Sequence, residues 1–96
     1  MIGVYATCDV KNGNQAEFEA LAREFAQTAL TYAGCIYYDF GKVSGTRTRY
    51  VFMEKWQSKD DWDKHLAAPF FVSHAPDLVA LTLNGLDINM AELSET

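Results

Sequence analysis

Apolar and polar residues alternate from the second position: Ile2, Val4, Ala6, Cys8 and Val10 interleave with Gly3, Tyr5, Thr7 and Asp9. A period of two places one side of a strand against a core. Asn12-Gly13-Asn14 breaks the pattern, and the period becomes helical. Phe18, Leu21, Ala22, Phe25, Ala29 and Tyr32 mark one face of a helix from about Gln15 to Tyr32. Asn14 is placed to cap it with Glu17 at the reciprocal position, and Gly34 can end it in a left-handed conformation. A second strand is predicted from about Cys35 to Val43, a short turn through Ser44-Gly45-Thr46, and a third strand from Arg47 to Trp56. Gln57-Ser58 then leads into a short helix from Lys59 to Ala67, with Ser58 as cap and Asp61 three residues on. Pro69 opens a further helical turn through Phe70, Phe71 and His74, which Pro76 interrupts or restarts. After Asn84-Gly85, the alternation of Leu86 to Met90 predicts a last strand.

Strand, helix, strand, strand, helix, strand is the order of an α+β, ferredoxin-like βαββαβ fold, an antiparallel sheet with its helices on one face. A chain of 96 residues fits one such domain, 1–96. The strand patterns add a second expectation. On the second strand Ile36, Tyr38 and Phe40 share one side, with Cys35 and Tyr37 on the other; on the third, Tyr50, Phe52 and Trp56 oppose Val51 and Met53. A sheet covered on one face only should be polar on the other. Large apolar groups on both faces point to a sheet-to-sheet homodimer, two copies closing into a dimeric α/β barrel.

Composition narrows the function. A formal charge of −5 argues against binding nucleic acid or an anionic membrane, and no apolar run is long enough to span a bilayer. Lys42, Arg47 and Arg49 cluster at the hairpin, where charges keep an edge soluble. The first residues lack a basic stretch followed by an apolar one, so the expected compartment is the cytoplasm, with Cys8 and Cys35 as reduced thiols.

The segment from Glu54 to Leu66 concentrates the candidate chemistry. In its helix Trp62, His65 and Leu66 fall at i, i+3 and i+4 and share a face. His65 is the candidate acid–base group, because imidazole titrates near neutral pH; against this stands a helix histidine that only caps a neighbour or faces solvent. His74, nine residues on, has no metal-pair spacing to it, so no metal site is expected, yet it could line the same cavity. Trp56 and Trp62 bracket the strand-to-helix turn and are either core or the wall of an aromatic-binding pocket. Tyr37, Tyr38 and Tyr50 could add hydroxyls. Glu54 shares its parity with Phe52 and Trp56, where a carboxylate must find a partner, through a structural bond or a substrate hydroxyl. No glycine-rich phosphate loop, dinucleotide fingerprint or nucleophile elbow occurs.

Glu54-Lys55-Trp56, then Gln57-Ser58 and a helix holding His65-Leu66, with Gly34-Cys35-Ile36-Tyr37-Tyr38 and Glu17-Phe18 upstream, resembles the antibiotic-biosynthesis monooxygenase domain family, which includes quinol monooxygenase-like proteins. The resemblance implies a dimer with a cavity between helices and sheet. It implies oxygenation of a phenolic or quinol-type aromatic by dioxygen with neither metal nor flavin, hence no cofactor. On that reading His65 is the base, Trp56, Trp62 and Phe70 form an apolar wall, and Tyr50, Glu54 and His74 join the substrate-binding set. Two departures qualify it. Relatives often carry a second histidine directly after the proline where this chain has Phe70, and the haem-degrading branch has a tryptophan where this chain has His65. The alternatives are a non-catalytic dimeric module that binds a small aromatic ligand and, further off, haem degradation or isomerisation of a sugar phosphate.

Overall fold

In the computed structural model, which describes residues 1–95, the order is β1 (Ile2–Asp9), α1 (Gln15–Ala29), β2 (Cys35–Lys42), β3 (Arg49–Trp56), α2 (Lys59–Ala67), α3 (Pro69–Ala80) and β4 (Asp87–Glu92). The strands form one antiparallel sheet in the order β2-β3-β1-β4, so β1 and β3 are central and β4 is an edge. This is the expected α+β, ferredoxin-like arrangement. The core lies between sheet and helices: Ile2, Val4, Ala6 and Cys8 of β1 and Tyr50, Phe52 and Trp56 of β3 pack against Phe18, Ala22, Phe25 and Ala29 of α1. No helix is long and apolar enough to cross a membrane among the described residues.

The helix starts differ from one another. Ser58 caps α2 as its sequence predicts: its backbone is extended, its hydroxyl accepts from the Asp61 N–H at 3.2 Å, and it donates to the Asp61 carboxylate at 3.0 Å. Asn14 does not cap α1 through its side chain. Its backbone (φ −100°, ψ 7°) is not the extended conformation from which a side chain caps a helix. Gln15 instead accepts from the Gly13 N–H at 2.7 Å and donates to Asn12 at 3.1 Å. α1 also stops at Ala29, short of the predicted Tyr32, because Thr31 and Tyr32 tighten into turns bonded three residues back, at Thr28 and Ala29. Gly34 follows at φ 88°, and a Cβ there would collide with the Asp61 carboxyl, so this glycine lets α2 dock closely.

Ala68, extended because a proline follows it, separates α2 from α3. Beyond it the expected helical turn is a full helix that runs through Pro76 without ending. β2 also departs from simple alternation. The register against β3 shifts between Cys35 and Tyr37, a bulge that makes Ile36 the extra residue. Cys35 therefore sits opposite the buried Trp56 and packs against the core, and Ile36 is exposed, the reverse of simple alternation. The face away from the helices still carries large apolar groups. Tyr5 and Met53 are paired on it and 53% and 52% exposed, and Tyr37 lies near them.

Candidate functional site

Between the sheet and helices α2 and α3 lies a cavity of about 160 Å³. Its walls divide by chemistry. Tyr38 of β2, Glu54 of β3 and Trp62 and His65 of α2 bring its polar atoms, while Ala75, Leu78 and Val79 of α3 with Leu86 and Ile88 at β4 are apolar. Tyr38 and Glu54 are direct cross-strand partners, and the Tyr38 ring lies 5.8 Å from that of His65, so the polar groups adjoin one another. Val79 and Ile88 are the exposed members of the lining, which sets the mouth between α3 and the edge strand.

His65 follows from the helical register of Trp62, His65 and Leu66, all three of which reach the cavity. Its ring is buried among aromatics: it stacks on Trp56 at 4.9 Å and meets the edges of Tyr38 and Phe71. Its Nδ1 is buried with no hydrogen-bond partner among the described residues. Burial lowers its pKa to about 4, so the imidazole is neutral at physiological pH. Glu54 is pushed the other way: burial raises its pKa to about 7, only partly offset by the bond it accepts from the Trp56 indole at 3.0 Å. Burial, with the neighbouring Glu54 adding to it, also raises the Tyr38 hydroxyl. Near neutral pH the site is thus an apolar chamber with a neutral imidazole and a carboxyl poised between its two forms.

Of the residues singled out from sequence, the fold brings Glu54, Trp62 and His65 to the cavity; Trp56, Phe70, Tyr50 and His74 do not line it. Trp56 is fully buried behind His65, as the platform on which the imidazole stacks. Phe70 packs edge-on against Phe25 at 5.0 Å and stacks on His74 at 4.3 Å; one residue along α3, Phe71 faces the chamber in its place. Tyr50 lies four residues, about 13 Å, down β3 from Glu54, with its hydroxyl bonded to the Glu19 carboxylate on α1 and its ring 4.8 Å from Phe18. His74 is tied to the Phe70 carbonyl through Nδ1 at 3.0 Å. Of the three tyrosines that could add a hydroxyl, Tyr38 is the one that lines the chamber, and Phe71 is a lining residue that the sequence did not single out. For Tyr38 a signal existed: it shares the parity of Phe40, on the side away from the exposed Tyr37. Among the described residues no group of three or more His, Cys, Asp or Glu is arranged to hold a metal ion.

Fold and site together define a ferredoxin-like α+β protein with a small apolar chamber under its helices. The family model for antibiotic biosynthesis monooxygenases matches residues 1–75, and the chain belongs to that family. No curated protein matches it. Solved structures do. A candidate antibiotic biosynthesis monooxygenase from Deinococcus radiodurans superposes with a TM-score of 0.93 at 22% identity, covering 100% of this chain and 95% of that one. A conserved protein from Methanosarcina mazei gives 0.91 at 24% identity over 95% and 90%. A mutant form of SnoaB, a cofactor-independent oxygenase from Streptomyces nogalater, gives 0.87 at 22% identity over 99% and 94%. At these identities the likeness is one of fold.

Proposed function

We propose that this protein is a monooxygenase that oxidises an electron-rich phenol or quinol with dioxygen, the substrate itself supplying the electrons. The observation that carries the reading is the chamber's divided wall: an aromatic ring fits its apolar side while a hydroxyl meets Glu54, Tyr38 and His65 on the other. SnoaB, whose fold this chain shares, is named as a cofactor-independent oxygenase. In the proposed reaction a base takes the phenolic proton and the phenolate passes one electron to dioxygen. The substrate radical and superoxide then join as a peroxide at a ring C–H carbon. The base returns its proton to the peroxide, and loss of water leaves a carbonyl there, so one oxygen atom stays in the product and the other leaves in water.

The shifted pKa values divide the work between two groups. A base near 4 is poorly matched to a phenol, whereas Glu54 near 7 is closer to the operating range. Glu54 is the better proton acceptor in the free protein, and His65, assigned that role from the sequence, holds the substrate oxygen through the imidazole it presents to the chamber. Oxygen uptake with a panel of phenols, quinols and anthrones tests the activity; no acceleration with any of them overturns it. The pH profile tests the division of labour. A rate that climbs through about pH 7 supports Glu54, and one that is flat there and falls only near pH 4 returns the role to His65.

The low basicity of His65 also favours a second reading, a module that binds an aromatic ligand without turning it over. Tight binding with no oxygen uptake, unaffected by His65→Gln, selects it. Sugar-phosphate isomerisation is disfavoured, because no Lys or Arg lines the chamber among the described residues. Either surviving reading includes a homodimer through the open sheet face, supported by the exposed Tyr5, Tyr37 and Met53. A light-scattering mass equal to one chain at micromolar concentration overturns the dimer.

A further inference from the structure

Chamber size limits what can enter. An engineered apolar cavity of about 150 Å³ holds a benzene molecule, whereas pockets for drug-sized ligands run to about 300 Å³ and more. This chamber, about 160 Å³, belongs to the first class. Its boundaries are poorly placed to yield: Phe52, Tyr38 and Phe25 are buried core residues, and the His65 ring is held by Trp56 behind it. Close packing of this kind makes an added ring costly, because backbone or several side chains must move together. A fused three-ring skeleton has more than twice the carbons of benzene.

The position of the mouth adds a direction. The polar groups sit on the β2, β3 and α2 wall, and the exposed lining residues Val79 and Ile88 sit at the α3 and β4 edge. A ring whose hydroxyl meets His65 and Glu54 therefore presents its opposite edge to the apolar, open side. Charge is constrained too. Among the described residues no cationic side chain lines the chamber, and Glu54 would oppose an anionic substituent.

Resting on the proposed oxygenation of a phenol, we infer that the natural ligand is an uncharged single-ring phenol or quinol, hydroxyl inward, with any apolar substituent on the far edge pointing to the mouth between Val79 and Ile88. Binding is read by quenching of tryptophan fluorescence, since Trp62 is part of the wall. Phenol, 4-methylphenol and 4-butylphenol should bind with increasing affinity, by about two- to fourfold per methylene added. 1-Naphthol should bind about tenfold more weakly than 4-methylphenol, and 2-hydroxyanthracene more weakly still. Ionised 4-hydroxybenzoate should also fall about tenfold below 4-methylphenol. Leu66→Ala, which enlarges the lining, should shift the preference toward 1-naphthol; Ala75→Phe, which fills it, should lose all of them while a thermal melt confirms folding. Equal or tighter binding of 1-naphthol or 2-hydroxyanthracene to the unaltered protein overturns the inference, as does a folded Ala75→Phe variant that binds normally. Oxygen uptake separates the two claims. Two-ring phenols that bind best and are oxygenated leave the activity standing without the size limit; single-ring phenols that bind in the expected order without uptake leave the size limit standing without the activity.

Discussion

The two histidines occupy neighbouring helices and have opposite surroundings. On α2, His65 is almost wholly buried, ringed by Trp56, Tyr38, Tyr32 and Phe71, lines the chamber, and keeps a buried nitrogen without a partner among the described residues. On α3, His74 is only half-buried, stacked on Phe70 and bonded to the carbonyl one turn back. A buried polar group without a partner is costly, and a partly exposed one with a backbone bond is not. The imidazole that carries an unrecovered cost is the one that faces the cavity. That contrast, more than residue type, separates a candidate functional histidine from a structural one.

Activity should separate the two histidines most strongly. His65→Ala should lower the rate of oxygen uptake by about a hundredfold or more, measured as kcat/KM with the best quinol of the panel. His74→Ala, by contrast, should stay within about twofold, since it does not line the chamber. Similar losses in both variants would erase the distinction.

Stability against pH should set His65 against Glu54. Glu54 is raised from 4.5 to about 7 in the folded protein, so its contribution is fully present below pH 4.5 and is lost as pH rises through 7. His65 is lowered from 6.5 to about 4, so its contribution is present above pH 6.5 and is lost as pH falls through 4. Between pH 4.5 and 6.5 the two oppose, and the stability of the native chain should be nearly flat. His65→Gln removes one side of the balance, and urea unfolding of that variant should then show stability falling by up to about 3 kcal/mol between pH 4.5 and 7.5. Glu54→Gln should show the reverse slope.

A smaller effect tests what holds α2, and so His65, in place. Ser58→Ala should cost about 1 kcal/mol in urea unfolding because it removes a formed cap. Asn14→Ala on α1 should cost less than about 0.5 kcal/mol, because no side-chain cap bond is lost. Equal costs would mean that the Ser58 bond contributes nothing beyond its geometry.

Much of the fold was legible because it depends on periods. Ile2 to Val10 and Phe18 to Ala29 fall where their spacing predicts, and Ser58 and Pro69 mark helix starts through side-chain chemistry that acts locally. Where the reading failed, a local rule met a non-local condition. Asn14 has a capping side chain but the wrong backbone, Ile36 bulges so that Cys35 turns inward, and Pro76 sits in a helix that continues past it.

The site divides in the same way. Sequence alone determined the α2 face of Trp62, His65 and Leu66, since helical spacing fixes which side chains stand together, and the inward parity of Glu54, since strand alternation does the same. Packing between elements sets Trp56 behind His65, turns Phe71 rather than Phe70 to the chamber, and leaves Tyr50 too far along β3 to reach it. It also sets the chamber's volume and the two pKa shifts. Those depend on how closely α2 and α3 pack on the sheet and how much water that packing excludes, and no pattern along one element encodes the distance between elements.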